Sequence, residues 1–513
     1  MKPSTRISRQ DFIKLLAAAS LSLFGAPILA RKPQSASPKS APPPNILVLV
    51  FDALSAANMS LYGYPRNTTP NLERFAENAT IYHRHYAAGN FTTPGAASLL
   101  TGVYPWTHRA INLQGHTSQV YQQSNLFSLL PTEYHRFAYT HNSLAYLLLD
   151  DFQKAIDDLL KISDLAVYSD LWVDKLPLRE FDVPFEAELV ALKNSFSTNS
   201  SLFLSLLDTV QRTIQSDRYY QVYRDQFPRG LTNCRSGDRN NALCFSLEMA
   251  IDWIQEQFLT RPQPFLGYVH LFPPHAPYNP RKEFIGQFSD PLPLPSKPDH
   301  FFSDHKDKKS LARLRERYDE TIAYVDSEFG RLLDFLKESN SLVNTCLVVT
   351  SDHGELLERG ISGHNTPVLY EPLTHIPLLI AYPDQNSRQD IYQPTSAIDL
   401  TPTLLQFAGA ENSPLLEGSL LPREDKSGFD QRSIFTLEAK SNPKNGPLKR
   451  ATFALIQDRY KMIYYQGYEN FDQVFEVYDL ENDPQETVNL YSPDDMISKD
   501  LEEAMRHQIN AIH

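Results

Sequence analysis

The chain is 513 residues long and 42% hydrophobic, which suits one large core with a smaller companion and excludes a disordered polymer. A formal net charge of −13, from 48 basic and 61 acidic residues, excludes a protein held on nucleic acid by counterion release. An acidic chain can still handle an anionic substrate if it has a locally positive pocket, such as a bound cation provides.

Residues 1–30 read as an export signal, with Lys2, Arg6, Arg9 and Lys14 ahead of an apolar run that ends in small residues. That run is short for a membrane span of about 20 residues. Ser8-Arg9-Gln10-Asp11-Phe12 resembles a twin-arginine signal with Gln10 in place of the second arginine. The expected location is the periplasm or the cell exterior, with an uncleaved membrane anchor as the alternative. Residues 31–44, rich in Pro, Ser, Ala and Lys, read as a tether.

Residues 45–52 form a continuous apolar run that suits a central parallel strand covered on both faces. Similar runs at 265–272, 345–351 and 376–382, with helical patterns between them, predict an α/β domain over residues 45–410. Its large, mostly parallel sheet is expected to be sandwiched by helices. Thr69-Pro70, Thr93-Pro94 and Thr401-Pro402 each predict a helix start with threonine as N-cap and proline as first helical residue. Gly102 and Gly409 predict the ends of the second and third. Leu311, Leu314, Tyr318, Ile322, Val325, Phe329 and Leu332 make the apolar stripe of a long helix. Residues 145–245 mix helical patterns with polar loops and carry no readable motif. From 411 to 513, strand patterns at 452–456, 460–464 and 474–478 predict a small antiparallel β-rich subdomain closed by a helix. Cys234 and Cys244 lie in a polar loop and are close enough to pair in an oxidising compartment, while Cys346 reads as core.

In such sheets chemistry gathers at the carboxyl ends of strands. Asp52 ends the first run, and Asp352-His353 ends a later one, followed by Gly354, which lets the backbone turn. Carboxylates beside a neutral imidazole offer part of a metal site. Thr92 stands just ahead of the helix predicted from Thr93, where free helix N–H groups seat an oxyanion. A cation held by Asp52, Asp352 and His353 that also touched the Thr92 oxygen would favour its alkoxide, making Thr92 nucleophile and ligand together. His108 follows a turn and His270 lies within a strand, so both read as structural histidines.

These segments resemble, in order, the sulfatases of the alkaline-phosphatase superfamily over most of residues 45–491. Thr69-Pro70-Asn71-Leu72 is similar to that family's TPNLD helix start, and residues 97–105 resemble the signature that follows its nucleophile. Tyr268-Val269-His270-Leu271-Phe272 with Pro274-His275-Ala276-Pro277-Tyr278 resembles a histidine-bearing family strand. Residues 350–355, Tyr370-Glu371 and residues 478–484 continue in family order. The resemblance implies Asp52, Asp352 and His353 as metal ligands and Thr92 as nucleophile. It further implies His275 as a contact to the oxyanion, and His364 as the same or as proton donor to the leaving group.

The departures bear on function. The main sulfatase type uses Cys or Ser, oxidised to formylglycine, in a Cys/Ser-x-Pro-x-Arg motif. Here Thr92-Thr93-Pro94-Gly95-Ala96 has neither the oxidisable residue nor the arginine. The threonine methyl closes the aldehyde route, so an ester on Thr92 has to be cleared by attack on phosphorus or sulfur. Threonine-type members of the family typically act on phosphorus esters, so the expectation is a metal-dependent hydrolase or transferase for phosphate or phosphonate esters. Sulfate-ester hydrolysis by the same residues is one alternative. A silent binder of anionic glycans, suggested by Ala53 and Ala96, is another. Ala53 replaces the second aspartate of the family's Asp-Asp pair and leaves a reduced ligand set for one divalent ion: Mn, Mg, Ca or Zn. The implied partner is an anionic ester on a small molecule, glycan or lipid. No nucleic acid is expected, and membrane contact only through an uncleaved signal.

Overall fold

The computed structural model describes residues 43–167, 221–233, 244–292, 297–411, 413–424 and 432–512. The export segment, most of the tether, much of the stretch 145–245 and Cys234 lie outside the described residues. Cys244 is disulfide-bonded, and Cys346 is a free thiol buried in a strand, as its apolar setting predicts. Among the described residues no helix is long and apolar enough to cross a membrane.

Eight strands form the main sheet. In chain order they are β1 (Asn45–Phe51), β2 (Thr80–Tyr82), β3 (His135–Thr140), β4 (Asp158–Leu159), β5 (Phe265–Leu271), β6 (Thr345–Thr350), β7 (Leu378–Ala381) and β8 (Gln389–Ile391). Their spatial order is β8-β2-β7-β6-β1-β5-β3-β4. β1 lies at the centre, parallel to β5 and β6, and β7 runs antiparallel to both of its neighbours. The run at 376–382 is thus a strand, but it runs opposite to the strand beside it.

Period-two alternation explains why the central strands are apolar throughout. Leu47, Leu49 and Phe51 point to one face, where they meet α1 (Pro70–Ala76), α4 (Leu247–Thr260) and α5 (Lys308–Glu338) through Leu72, Ile251 and Phe329. Ile46, Val48 and Val50 point to the other face and meet α2 (Thr92–Thr101), α3 (Ser143–Asp151) and α6 (Leu400–Phe407) through Leu99, Leu148 and Leu404. The predicted stripe on α5 is the face buried here, and Tyr318 also fixes the tip of β1. Its hydroxyl donates to the Ala53 carbonyl at 2.5 Å and accepts from the Ser55 N–H at 2.9 Å.

All three predicted caps work differently; α6 begins at Leu400, and the Thr401 hydroxyl inside it donates to the Leu99 carbonyl at 2.7 Å. Thr69 makes no side-chain cap, and the first N–H groups of α1 donate instead to Asp326 on α5 (Asn71 at 2.9 Å, Leu72 at 2.8 Å). Helix α2 begins at Thr92, with Phe91 as its N-cap, because the Thr93 hydroxyl donates to the Leu113 carbonyl at 2.7 Å. This earlier start makes Thr92 the first helical residue. Gly102, at φ 69°, ends the helix as expected.

A second sheet forms from β9 (Ile434–Glu438), β10 (Ala451–Gln457), β11 (Tyr460–Gln466) and β12 (Val474–Asp479), antiparallel throughout, with α7 (Met496–Ile512) against it. Phe435, Leu437 and Met505 pack with Ala88, Tyr104 and Trp106. Leu437 N–H donates to the Ala88 carbonyl at 2.9 Å, and the Thr436 hydroxyl donates to the Ala87 carbonyl at 2.6 Å. The C-terminal sheet therefore braces the segment that leads into Thr92.

Two histidines are folded into this framework as neutral rings. His108 bonds the Ser98 hydroxyl and accepts the Ala110 N–H, each at 3.0 Å, which makes it structural as its sequence context predicts. His85 bonds the Thr395 hydroxyl at 2.9 Å. Burial depresses both imidazoles from 6.5 to about 3, with the charges of His375 and Arg432 adding to the effect at His85. A depressed folded pKa gives stability that is full above 6.5 and is lost as pH falls toward 3. At pH 5 the loss is about 2 kcal/mol for each ring. Urea unfolding measured from pH 8 down to pH 5 is expected to show this decline, and a flat profile would remove the assignment.

Candidate active site

The carboxyl ends of β1, β3, β5 and β6 meet in one buried cluster. Asp52 follows β1, His270 is the penultimate residue of β5, and Asp352-His353 follow β6. All four side chains are fully buried. His270 Nε2 lies 3.5 Å from Asp52 Oδ2 and 3.6 Å from Asp352 Oδ2. His353 Nε2 lies 3.5 Å from Asp52 Oδ1 and 3.5 Å from Asp352 Oδ2.

Local hydrogen bonds dictate which atoms face one another. Asp352 Oδ1 accepts the N–H groups of Ala53 (3.2 Å) and His353 (3.0 Å), which leaves Oδ2 for the cluster. Ala53 takes φ 59°, the left-handed turn that brings its N–H round to that carboxylate. His353 Nδ1 donates to the Gly354 carbonyl at 2.9 Å, which leaves Nε2 to face the carboxylates. Asp52 Oδ1, Asp352 Oδ2, His270 Nε2 and His353 Nε2 have no hydrogen-bond partner. Buried polar atoms that converge without a hydrogen-bond partner are costly, and a cation among them would satisfy all four. Ligand atoms placed about 2.0–2.5 Å from a divalent ion sit roughly 3–3.6 Å apart, which is the spacing seen here. The cluster therefore fits a divalent metal through Asp52, His270 and Asp352, with His353 against both carboxylates.

Burial alone would raise the Asp52 carboxyl. The positive charges of His275, His270 and His353 instead hold it well below the usual range. At His270, burial lowers the pKa, but the facing carboxylates Asp352 and Asp52 win and raise it.

Thr92 enters through Asn142, which caps α3. Asn142 Oδ1 accepts the N–H groups of Leu144 (2.8 Å) and Ala145 (3.3 Å), so its amide NH2 has to face the other way. That NH2 donates to Asp52 Oδ2 and to Thr92 Oγ1, the latter at 3.2 Å. One amide thus ties the threonine oxygen to the cluster. Pro94 has no N–H, so Thr92 and Thr93 supply the N–H groups that open α2. Gly95 brings the same helix onto Asp352, because a Cβ at this position would run into the Asp352 carbonyl oxygen. Gly95→Ala is therefore expected to push Thr92 off the cluster and lower kcat/KM about 100-fold, since an ångström-scale displacement has that effect. Unchanged steady-state rates in the folded variant would argue against it.

The remaining predicted residues line the same space. His364 Nδ1 donates to Glu355 Oε2 at 3.2 Å, leaving Nε2 as its free nitrogen. Its ring centroid lies 4.3 Å from that of His353 and 4.8 Å from that of His275. His275 bonds the Ala276 carbonyl through Nδ1 at 2.6 Å. Asn90, two residues before Thr92, donates to the carbonyls of His364 (3.1 Å) and Thr366 (2.8 Å) and joins the two loops.

Asp52, Thr92, His275, Asp352, His353 and His364 are thus brought together. The structural reading of His270 needs correction: its ring faces two carboxylates, where a strand-borne imidazole is a metal-ligand candidate. Asn142 had no place in the sequence reading either. A signal existed for His270, as an ionisable side chain one residue from the end of an otherwise apolar central strand.

The chain matches the family model "Sulfatase" over residues 44–410 and the model "N-sulphoglucosamine sulphohydrolase, C-terminal" over residues 364–513. It is 25% identical over 414 residues to N-acetylgalactosamine-6-sulfatase of Homo sapiens, covering 77% of this chain and 68% of that protein. It is 23% identical over 488 residues to N-acetylglucosamine-6-O-sulfatase of Bacteroides thetaiotaomicron, covering 90% and 84%. Two solved structures share the fold. A phosphonate monoester hydrolase of Agrobacterium radiobacter gives a TM-score of 0.62 at 17% identity, over 91% of this chain and 95% of that one. A protein solved in complex with its substrate D-glucosamine-2-N,6-O-disulfate gives 0.64 at 17% identity, over 91% and 98%. Because the first family match spans well over half of the chain, from β1 through α6, this chain belongs to the sulfatase family of the alkaline-phosphatase superfamily, a family of ester hydrolases.

Proposed function

We propose that the chain hydrolyses a sulfate ester on an amino sugar, with Thr92 Oγ1 as the attacking atom and one divalent cation held by Asp52, His270, Asp352 and His353. The observation that carries this reading is the Asn142 amide, which donates to Thr92 Oγ1 and Asp52 together. The two curated relatives named above are N-acetylgalactosamine-6-sulfatase and N-acetylglucosamine-6-O-sulfatase, which supports sulfate over the phosphorus esters expected from Thr92 alone. When bound, the cation supplies Lewis-acid charge for a non-bridging ester oxygen and favours deprotonation of a nearby hydroxyl. Two imidazoles in the donor set suit Mn²⁺ or Zn²⁺ better than Ca²⁺.

Thr92 Oγ1 attacks sulfur as the alkoxide, its proton having been released to solvent and the charge met by the Asn142 amide, and its bond forms as the bond from sulfur to the sugar oxygen breaks. The sugar oxygen takes a proton from His364 Nε2, whose ring Glu355 holds through the other nitrogen. The opening N–H groups of α2 face the non-bridging oxygens. Water then attacks sulfur with His364 as base, the bond from Thr92 to sulfur breaks, and sulfate leaves with Oγ1 restored.

A second reading, phosphate or phosphonate ester hydrolysis, is favoured by Thr92 itself, because attack on the central atom is open to phosphorus as well as sulfur. A panel of N-acetylglucosamine 6-sulfate with aryl sulfate, phosphate monoester, phosphate diester and phosphonate substrates, under added Mn²⁺, Zn²⁺, Mg²⁺ or Ca²⁺, separates the two. The sulfates are expected to turn over with the higher kcat/KM. The reverse order would replace the first reading with the second, and no turnover at all would remove both.

A further inference from the structure

A groove of about 500 Å³ lies between the first turns of α5 and the hairpin segment at residues 357–360. Seven cationic side chains line it against four carboxylates, a local positive excess on a chain of net charge −13. The cations are of two kinds. Three are built in: Arg66 pairs with the buried Asp319 at 2.8 Å, Lys297 pairs with Glu358 at 2.8 Å, and Arg359 stacks on Tyr370 with 4.0 Å to the ring centroid. On the opposite wall Arg315 donates to the Leu357 carbonyl at 2.7 Å and holds the hairpin against α5. Lys308, Lys309 and Arg313 then stand exposed along the rim. Among the described residues neither Lys309 nor Arg313 has an ion-pair partner, although Glu316 lines the same groove. Cations left unpaired at a concave surface raise the local concentration of anions.

The hairpin connects this groove to the reaction centre. Gly360 lines the groove, and His364 follows four residues later, a span of at most about 14 Å for extended chain. The Gly363 N–H donates to the Leu356 carbonyl at 2.8 Å, so the segment between them is pinned rather than loose. A polymer with one ester at Thr92 could lay its neighbouring anionic groups along this wall.

We infer that the groove between α5 and the 357–360 hairpin is a second binding site, for the anionic units of a sulfated glycan whose terminal ester occupies the catalytic cluster. The ligand class rests on the hydrolase reading above. The contacts are electrostatic, so they weaken steeply with salt. A heparin-derived decasaccharide is the probe, with binding measured by titration calorimetry at low and at physiological ionic strength.

The variant Lys309→Glu/Arg313→Glu changes only exposed positions on a helix surface. It is expected to weaken decasaccharide binding at least ten-fold and flatten its salt dependence, while kcat/KM on a small aryl ester stays at the wild-type value. Equal affinity of variant and wild type for the decasaccharide would overturn the inference, as would wild-type protein that does not bind it. Charge-dependent binding with no turnover of any ester would leave the groove standing and remove the hydrolase reading instead.

Discussion

Thr92→Ala is expected to reduce kcat/KM by a factor on the order of 10³ to 10⁶, the range that follows removal of a covalent nucleophile. The fold should survive, because among the described residues the lost hydroxyl accepts only from the Asn142 amide, which keeps its bond to Asp52. Losing one such bond costs about 1 kcal/mol, far less than the catalytic effect. Thr92→Ser separates hydroxyl from methyl and should retain activity within about ten-fold, since the oxygen persists and only the stiffness of a β-branched side chain is lost. Intact mass spectrometry during turnover of a slow ester should show an adduct that maps to Thr92 and is absent from the alanine variant. An alanine variant as active as the wild type would leave the chain with a different chemistry.

His270→Ala is expected to lower kcat/KM by roughly 10³-fold and to empty the metal site, because one of its converging donors is gone and several kcal/mol of Lewis-acid stabilisation go with the ion. The electrostatics point the same way. His270 Nε2 is the nitrogen that lies within 3.6 Å of the Oδ2 atoms of both Asp52 and Asp352. Without the ring, two buried carboxylates face each other across a cavity with one positive partner fewer. Metal analysis of the dialysed protein should find about one equivalent in the wild type and well under a tenth of that in the variant. Circular dichroism establishes that the variant is folded. Metal content and rates that both survive the substitution would return His270 to a structural role.

The fold was legible because its signals are local. The apolar runs at β1, β5 and β6 announced buried parallel strands, and Asp52 and Asp352-His353 stood out because each ends such a run. The direction of β7 was not legible, since a short buried strand has the same composition whichever way it runs. The start of α2 was misplaced by two residues because a tertiary contact, Thr93 to Leu113, competed with local capping. His270 and Asn142 were missed for a related reason. His270 faces the cluster only because β5 pairs with β1 in a register that sets it beside Val50, two residues before Asp52. Asn142 looks like an ordinary helix cap, and half of it is one. Its second role depends on three strand ends meeting, and spacing along the chain does not record that.

Threonine at position 92 also changes what the cell has to supply. The main sulfatase type carries at this position a Cys or Ser that has to be oxidised to formylglycine before it can act. On the proposed mechanism the attacking oxygen is the genetically encoded one that the Asn142 amide addresses, and folding alone would complete the reacting side chains. Material made in a heterologous host, or in an extract without any maturation factor, should be as competent as protein from its native source, given the right metal salt.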